Sequence, residues 1–290
     1  LFSVPWEVTA SYGGGTAQAP DAILDASMQV DLYDVHNPGG WEQGIGTLEM
    51  DDTLNPRSNR LRQEALQVMS HLENGGALDS DFIQRRLRRI NKASEELNQY
   101  VYEESKRWVE AGKKVGVVGG DHSVPLGLMR VMAERYPGVG VLHIDAHADL
   151  RKAYEGFTYS HASIMYNALQ EAPGIGALVQ VGIRDFCDEE LETARADKRV
   201  VQFPDHELAA AGFAGETWQQ VCNRIVETLP KQVYVSFDID GLSPDNCPHT
   251  GTPVPGGLSF REAVYLLVTV VESGREIVGF DLCEVAPSHE

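Results

Sequence analysis

Short apolar runs alternate with amphipathic stretches through the second half of the chain. The apolar runs predict strands over residues 115–118, 139–145, 177–183, 200–203, 233–238 and 277–281. The stretches between them have helical spacing and predict helices over residues 123–136, 160–170, 218–228 and 259–273. Continuous apolar strands separated by amphipathic helices are typical of a parallel sheet with both faces covered. This pattern predicts the α/β fold class.

The first half is less regular. Residues 1–5 and the alternating apolar and polar positions of residues 29–35 predict two further strands, and a short helix begins near residue 20. Residues 37–52, rich in glycine and acids, are expected to be irregular. Two helices follow, one from about residue 55 to Gly75 and a long one from Ser80 or Asp81 to about Ala111. No repeat or linker divides the chain, so we expect a single domain over residues 1–290.

Composition narrows the range of partners. The 290 residues include 24 Lys or Arg and 43 Asp or Glu, for a formal net charge of -19. This charge argues against nucleic acid and anionic membranes as partners and mildly favours cationic ones. No apolar run approaches the roughly 20 residues that span a bilayer, so we expect no membrane partner. The 4 cysteines are scattered without a C-x-x-C pair, which predicts reduced thiols and a cytoplasmic location.

The candidate chemistry begins with a D-x-H-x-D motif formed by Asp145, His147 and Asp149. Side chains two apart on a strand point the same way, so the three converge if the extended geometry continues past the strand end. Two carboxylates and an imidazole forced together are costly without a cation. A divalent metal such as Mn, Zn, Fe or Ni suits these oxygen and nitrogen ligands. Taken alone, the motif is equally consistent with a polar transition from strand to loop in which an aspartate caps the turn.

Three more predicted strands end in polar clusters, which favours a metal site over an aspartate that only caps the end of a strand. They are Gly119–Ser123, Ser236–Gly241 and Phe280–Pro287. Ligands of open α/β sheets bind beyond the carboxyl ends of the strands. Together with the D-x-H-x-D motif, these clusters offer two histidines and several carboxylates, which suits two metals sharing bridging carboxylates and a water.

The motifs GGDHS, DAHAD, SFDIDGLSP, TGTPVPGGL and DLCEVAP resemble those of the ureohydrolases, which include arginase and agmatinase, in the same order. The resemblance runs through the whole chain. It implies a three-layer αβα sandwich with a central, mainly parallel sheet, two Mn²⁺ ions per subunit, and hydrolysis of a guanidino group to urea and an amine. The ligands that it implies for one ion are His122, Asp145, Asp149 and Asp238. Those for the other are Asp145, His147, Asp238 and Asp240, so Asp145 and Asp238 bridge.

The resemblance also implies catalytic roles. A hydroxide shared by two dications is available near neutral pH and attacks the guanidinium carbon. Glu284 holds the guanidinium by a charge-assisted hydrogen bond, and Asp281 supports the metal ligands. His161 matches the position of the family's proton shuttle to the leaving amine, although an ordinary histidine at a helix start fits the same pattern. His143, inside a strand, is expected to be a core residue with a local hydrogen bond.

The substrate is the most open point. The run DAHADLR…YSHAS looks most like agmatinases, which convert agmatine to putrescine and urea in polyamine biosynthesis. Agmatine has a free amine and no carboxylate, so Glu155 or Asp185 would suit it, and Thr252 is a plausible hydroxyl near the ligands. Arg151 and Lys152 argue the other way. If either faced the pocket, it would favour a guanidino acid such as arginine, guanidinobutyrate or formiminoglutamate.

Other classes of function stay open. A two-metal phosphoester hydrolase would need basic residues around the ions, and the predicted strand ends offer almost none. A metal-bound sensor without turnover is the alternative that is not an enzyme, and the presence of Glu284 and His161 argues against it. Members of the family are commonly trimers or hexamers, so the resemblance predicts a homo-oligomer that acts on a small cationic guanidino compound.

Overall fold

A central sheet of seven parallel strands organises the computed structural model, which describes residues 1–288. The strand order is β1-β2-β7-β6-β3-β4-β5, and every neighbouring pair is parallel. The strands are β1 (Phe2–Val4), β2 (Gly116–Gly119), β3 (Val139–Ile144), β4 (Ile175–Val181), β5 (Val200–Phe203), β6 (Gln232–Asp238) and β7 (Glu276–Cys283). The predicted parallel sheet is confirmed.

Helices cover both faces of the sheet, which confirms the three-layer αβα arrangement. They are α1 (Ala19–Ser27), α2 (Leu54–Glu73), α3 (Asp81–Glu110), α4 (Leu126–Arg135), α5 (Ile164–Glu171), α6 (Asp188–Ala196), α7 (Asp205–Phe213), α8 (Trp218–Glu227) and α9 (Phe260–Glu272). Ser80 caps α3 by accepting a hydrogen bond from the backbone N–H of Ile83. Sequence analysis missed α6 and α7, because α6 is largely acidic and α7 consists mainly of small and polar residues.

Alternate residues of the strands pack into two separate cores. In β6, Tyr234 belongs to the core that contains residues of α2 to α5, whereas Val233 and Val235 belong to the core of α7, α8 and α9. Successive side chains on a strand point to opposite faces, so a strand covered on both sides must be apolar throughout. This explains the continuous apolar runs of the sequence.

The strand predicted over residues 29–35 is wrong. The segment forms no strand, and its apolar side chains are exposed. Alternation describes how side chains would face if the segment paired, but a strand also needs a neighbouring edge to bond with. Two helix starts also differ. The 120–125 turn that carries His122 delays α4 to Leu126, and the predicted helix from Ser160 opens as a 3-10 turn, His161–Ser163, before α5.

The strand order explains why the polar motifs meet. Strands β2, β7, β6 and β3 are consecutive across the middle of the sheet, although they are far apart in the chain. All four run in the same direction, so their carboxyl ends share one edge. No helix of the described residues is long and apolar enough to cross a membrane.

Candidate metal centre

The first group of candidate ligands surrounds the ring of His122, which follows β2 and is 1% exposed. Its Nδ1 lies 3.0 Å from Oδ2 of Asp145, 3.1 Å from Oδ2 of Asp149 and 3.4 Å from Oδ2 of Asp238. Three strand ends therefore direct one nitrogen and three carboxylate oxygens to a common point, as a metal site requires.

The second group lies directly beside the first. Nδ1 of His147 lies 3.4 Å from Oδ1 of Asp145 and 3.2 Å from Oδ2 of Asp240. The two oxygens of Asp145 thus face different histidines, Oδ2 toward His122 and Oδ1 toward His147. This arrangement suits a carboxylate that bridges two cations. Asp238 faces His122 with Oδ2, while its Oδ1 accepts a hydrogen bond from the backbone N–H of Asp240.

The electrostatics of both groups favour cations. Burial and the neighbouring charges of Asp240 and Asp145 raise the pKa of Asp238 well above its ordinary range. Burial opposes the charged form of His147, but hydrogen bonds to Asp145 and Asp240 outweigh it and raise its pKa to about 12. Four buried carboxylates repel one another, and a divalent ion in each group would remove that repulsion. The oxygen and nitrogen donors present therefore fit two hard or borderline divalent metals.

Residues on the sheet hold His122 and Asp145 from behind. Nε2 of His122 lies 2.8 Å from Oγ of Ser236. Asp281 accepts hydrogen bonds from Oγ of Ser236 at 3.1 Å and from the Tyr234 hydroxyl at 2.6 Å, so its carboxylate supports the cluster. His143 is a fully buried core residue, as predicted, but its Nε2 contacts Oδ2 of Asp145 at 2.7 Å. Sequence analysis placed Ser236 in a polar cluster without assigning it a role, and it did not name Tyr234, which has the pattern of an ordinary strand residue.

His161 and Glu284 meet next to the two groups. Nδ1 of His161 is 3.5 Å from Oε1 of Glu284, and its Nε2 is 3.0 Å from the Ser11 hydroxyl. Burial lowers the pKa of His161, but the hydrogen bond and charge of Glu284 raise it above the ordinary value. Oε1 of Glu284 also accepts from the backbone N–H of His122, whereas its buried Oε2 has no hydrogen-bond partner among the described residues. A buried carboxylate oxygen without a hydrogen-bond partner is suited to binding a cationic group.

The Glu284 side chain is positioned by an unusual backbone and a close neighbour. Glu284 has φ of 63°, and a Cβ added at Gly251 would lie 2.8 Å from its Oε2. A non-glycine residue in this conformation indicates a local constraint. Gly251, from the TGTPVPGGL motif, leaves the space that the carboxylate occupies.

A cavity opens in front of the two groups. Its lining residues are Ser11, His147, Asp149, Arg151, Tyr154, His161, Ala162, Asp185, Glu190 and Thr252. Asp185 has a side chain that is 67% exposed, with Oδ2 3.9 Å from Nε2 of His147. Thr252 donates to Oδ2 of Asp240 at 3.2 Å. Glu155, the other predicted carboxylate, does not line this cavity.

Arg151 faces the cavity but is already paired. Its Nε lies 3.3 Å from Oε2 of Glu190, and its guanidinium lies 4.7 Å from the centre of the Tyr154 ring. Glu190 is buried and also accepts backbone hydrogen bonds from Leu150 and Cys187. Lys152 is exposed and does not line the cavity. Sequence analysis could not identify Glu190, because three consecutive acids begin α6 and only the fold turns this one inward.

Comparisons with known proteins agree with this geometry. The sequence model described as the Arginase family matches residues 1–290. The chain is 41% identical over 195 residues to the N(1)-aminopropylagmatine ureohydrolase of Thermus thermophilus, a match that covers 67% of this chain and 62% of that relative. It is 31% identical to the agmatinase of Halalkalibacterium halodurans over 100% of this chain and 84% of the relative. The crystal structure of agmatine ureohydrolase of Thermoplasma volcanium superimposes with a TM-score of 0.73 at 23% identity, covering 100% of this chain and 82% of that one.

Proposed function

We propose, on the premise that this chain belongs to the arginase family, that it hydrolyses the guanidino group of agmatine to putrescine and urea. Ureohydrolases of this family are hydrolases that act on guanidino compounds. The proposal adds the substrate, two Mn²⁺ ions per subunit and the residues that carry the reaction. We place the protein in the cytoplasm, because its four cysteines are free thiols, as is usual in reducing compartments.

The proposed metal ligands are those of the two groups described above. One ion would be held by His122, Asp145, Asp149 and Asp238, and the other by Asp145, His147, Asp238 and Asp240. The support for two ions is that the two carboxylate oxygens of Asp145 face different histidines. Carboxylate and imidazole ligands without a thiolate favour Mn²⁺ over softer metals.

The chain's own residues bind the substrate and move the proton. When bound, a pair of divalent ions would lower the pKa of a water, which would supply a nucleophile near neutral pH. Glu284 would hold the guanidinium through Oε2, the oxygen left without a partner in the described residues. His161, 3.5 Å from Glu284, would give its proton to the leaving amine. Burial of both side chains keeps bulk water from competing for these contacts.

One observation carries the choice of agmatine. Arg151 is the only Lys or Arg side chain among the described residues that line the cavity, and Glu190 already neutralises it. Among the described lining residues, no Lys or Arg is therefore free to bind a substrate carboxylate, while the carboxylate of Asp185, which is 67% exposed and 3.9 Å from Nε2 of His147, can accept an ammonium group. We assign the amine contact to Asp185 and not to Glu155, because only Asp185 lines the cavity.

N(1)-aminopropylagmatine is the second candidate substrate, since the relative from Thermus thermophilus carries that name. This compound also lacks a carboxylate and places a further amine beyond the first. The Asp185 side chain is 67% exposed, so a longer cationic chain bound to it can continue into solvent.

The test is an assay of urea release by the Mn²⁺-loaded protein on four compounds. They are agmatine, N(1)-aminopropylagmatine, arginine and guanidinobutyrate. We expect the highest kcat/KM on agmatine and much lower values on the two guanidino acids. A preference for arginine or guanidinobutyrate would refute the proposal, and a preference for N(1)-aminopropylagmatine would establish the second candidate instead. The apoprotein serves as the control for urea released without metal.

A further inference from the structure

The loop of residues 5–15, which follows β1 and is here called the β1 loop, touches His161 at two points. The Ser11 hydroxyl lies 3.0 Å from Nε2 of the His161 ring. The Thr9 hydroxyl oxygen accepts a hydrogen bond from the backbone N–H of His161 at 3.3 Å, and it donates to Oδ2 of Asp121 at 3.4 Å. One loop therefore contacts both the ring and the backbone of a residue that lies about 150 positions further along the chain.

The two ring nitrogens of His161 face different groups. Nδ1 lies 3.5 Å from Oε1 of Glu284, and a carboxylate can only accept a hydrogen bond, so Nδ1 carries a proton. When the ring is neutral, Nε2 accepts a hydrogen bond from the Ser11 hydroxyl. When the ring is an imidazolium, Nε2 donates to the same hydroxyl oxygen. Ser11 can therefore hold the ring in one orientation before and after a proton transfer.

Arg62, on α2, fixes the part of the β1 loop that precedes Ser11. Its Nη1 donates to the main-chain carbonyl of Ala10 and, at 3.4 Å, to that of Val8. Arg62 is 8% exposed, and burial lowers the pKa of its guanidinium. A buried guanidinium is costly unless it is hydrogen-bonded, and here the carbonyls of the β1 loop supply hydrogen bonds. The position of Ala10, and so of Ser11, therefore depends on Arg62.

Gly13 fixes the part of the loop that follows Ser11. Its backbone N–H donates to the carbonyl of Gly251 at 2.9 Å, and a Cβ added at Gly13 would lie 2.6 Å from that carbonyl oxygen. Only glycine allows the two backbones to approach so closely. Ser11 thus lies between two points at which the β1 loop is held by other parts of the fold.

We propose that Ser11 and Arg62 are positioning residues for His161. Ser11 orients the imidazole ring and selects the tautomer with the proton on Nδ1, and Arg62 holds Ser11 through the Ala10 carbonyl. The inference rests on the proposed function, because the position of the ring matters for turnover only if His161 gives a proton to the leaving amine. Correct placement of a reacting group contributes strongly to rate, and small displacements lower it.

Ser11→Ala tests the contact by separating kcat from KM. Ser11 lines the cavity, so loss of a substrate contact would raise KM, whereas a misplaced His161 lowers kcat alone. With the best of the four compounds named above, we expect kcat to fall about tenfold and KM to stay unchanged. Ser11→Thr keeps the hydroxyl and should restore most of the wild-type kcat. Tyr12→Phe removes a hydroxyl from the neighbouring side chain, which is 82% exposed, and should match the wild type.

The alkaline limb of the kcat profile should also move in Ser11→Ala. A hydroxyl stabilises an imidazolium more than a neutral imidazole, because hydrogen bonds to charged groups are stronger. Its loss lowers the pKa of His161, so kcat should begin to fall at a pH lower by up to about one unit. The guanidinium of Arg62 and four carboxylates near His161 stay the same in this variant. The carboxylates are those of Glu284, Asp121, Asp149 and Glu155.

Arg62→Met keeps an aliphatic side chain on α2 and removes the donors to the loop carbonyls. It should lower kcat and shift the alkaline limb in the same direction as Ser11→Ala. If Arg62 acts through Ser11, the two changes together should lower kcat little more than Arg62→Met alone, which a double-mutant cycle measures. Arg60→Met, at an exposed position on the same helix, is the matched control and should match the wild type.

A second measurement needs no substrate. ¹⁵N NMR of histidine-labelled protein reports which ring nitrogen carries the proton, and the His161 signal is the one that is lost in His161→Ala. The spectra are recorded without Mn²⁺, which broadens the signals, at a pH where His161 is neutral. We expect the proton on Nδ1 in the wild type and a mixture of tautomers in Ser11→Ala. A proton on Nε2 in the wild type, or equal tautomer populations in both proteins, would overturn the proposal.

The outcomes separate this inference from the proposed function. An unchanged kcat and alkaline limb in Ser11→Ala, together with an impaired His161→Ala, would overturn the inference alone. Full additivity of Ser11→Ala and Arg62→Met would overturn the role of Arg62. A fully active His161→Ala would refute both proposals. Absence of urea from all four compounds would refute the proposed function, and the tautomer of His161 would still decide the contact with Ser11.

Discussion

Gln180 donates a hydrogen bond from Nε2 to Nδ1 of His143 at 2.9 Å, and this contact determines which nitrogen of His143 carries the proton. The orientation of the Gln180 amide is set on both sides, because Nε2 also donates to the Ala148 carbonyl and Oε1 accepts from Gln202. Nδ1 of His143 therefore accepts, and Nε2 donates to Oδ2 of Asp145 at 2.7 Å. His143, Gln180 and Gln202 occupy paired positions on the neighbouring strands β3, β4 and β5.

Replacement of Gln180 by leucine should weaken metal binding. Without the amide, Nδ1 of His143 loses its donor, the ring can adopt the other tautomer, and Asp145 loses the hydrogen bond that orients it. We expect a fall of about 10- to 100-fold in Mn²⁺ affinity, as for other partners of metal ligands, measured by metal content at buffered free Mn²⁺. Gln202→Leu is the control and should have a smaller effect, because Gln202 contacts Gln180 but not His143. Equal affinities for wild type and Gln180→Leu would contradict this role.

Asp145→Ala and Asp149→Ala should differ in the number of metals lost. Asp145 contributes an oxygen to both groups of ligands, whereas Asp149 belongs only to the group around His122. Asp145→Ala should therefore retain no Mn²⁺, as should Asp238→Ala, and Asp149→Ala should retain about one ion per chain. Elemental analysis after dialysis provides the count, and circular dichroism confirms that the variants are folded. Two ions in Asp238→Ala would show that Asp238 does not bridge.

His161→Ala should lower turnover and leave the metals in place. Loss of a general acid typically reduces kcat by about 10²- to 10⁴-fold. Burial lowers the pKa of His161, but Glu284 raises it above its ordinary value. His161 should therefore keep its proton at neutral pH, and wild-type kcat should fall only at alkaline pH. The variant should lose this alkaline limb. His206→Ala, at an exposed position on α7, should match the wild type. An unchanged pH profile in His161→Ala would exclude the assignment.

Metal binding should release protons at neutral pH. Hydrogen bonds to carboxylates outweigh burial and raise the pKa values of His122 and His147, the latter to about 12, so both imidazoles are protonated without metal. Each must lose its proton to bind an ion, so about two or more protons should leave as two ions bind, and affinity should rise with pH. Calorimetry in buffers of different ionisation enthalpy measures the number. A heat of binding that is the same in all buffers would contradict the protonated state.

Asp185→Asn should raise KM for agmatine and change kcat little. A partly exposed ion pair contributes up to about 1 kcal/mol, so an increase of about fivefold is expected. Glu155→Asn is the control, because Glu155 does not line the cavity.

Glu155 and Gly156 have φ of 53° and 85° in the turn between Tyr154 and Phe157. Asparagine tolerates this conformation better than glutamate, so Glu155→Asn should leave KM unchanged and raise the melting temperature. A larger KM effect at Glu155 would reverse the assignment.

Local patterns in the sequence were sufficient to predict most of the elements. The strands from β2 to β7 and the long helix capped at Ser80 follow from apolar spacing and from one capping residue, which act between near neighbours. The types of ligand were also visible, because Asp145, His147 and Asp149 stand at the end of a strand. The resemblance of five motifs to one family then predicted the fold, which the structural comparison confirms.

Local patterns in the sequence identified most of the segments that form strands and the side chains that stand at their ends, but the fold alone brings particular strand ends together. Strand order depends on contacts between segments far apart in the chain, so the adjacency of β2, β7, β6 and β3 is not encoded in any one of them. For the same reason the roles of Gln180 and Glu190 were invisible, since each acts on a residue more than 30 positions away. Residues 29–35 show the converse, because an alternating pattern without a neighbouring edge has no hydrogen bonds to form and stays on the surface.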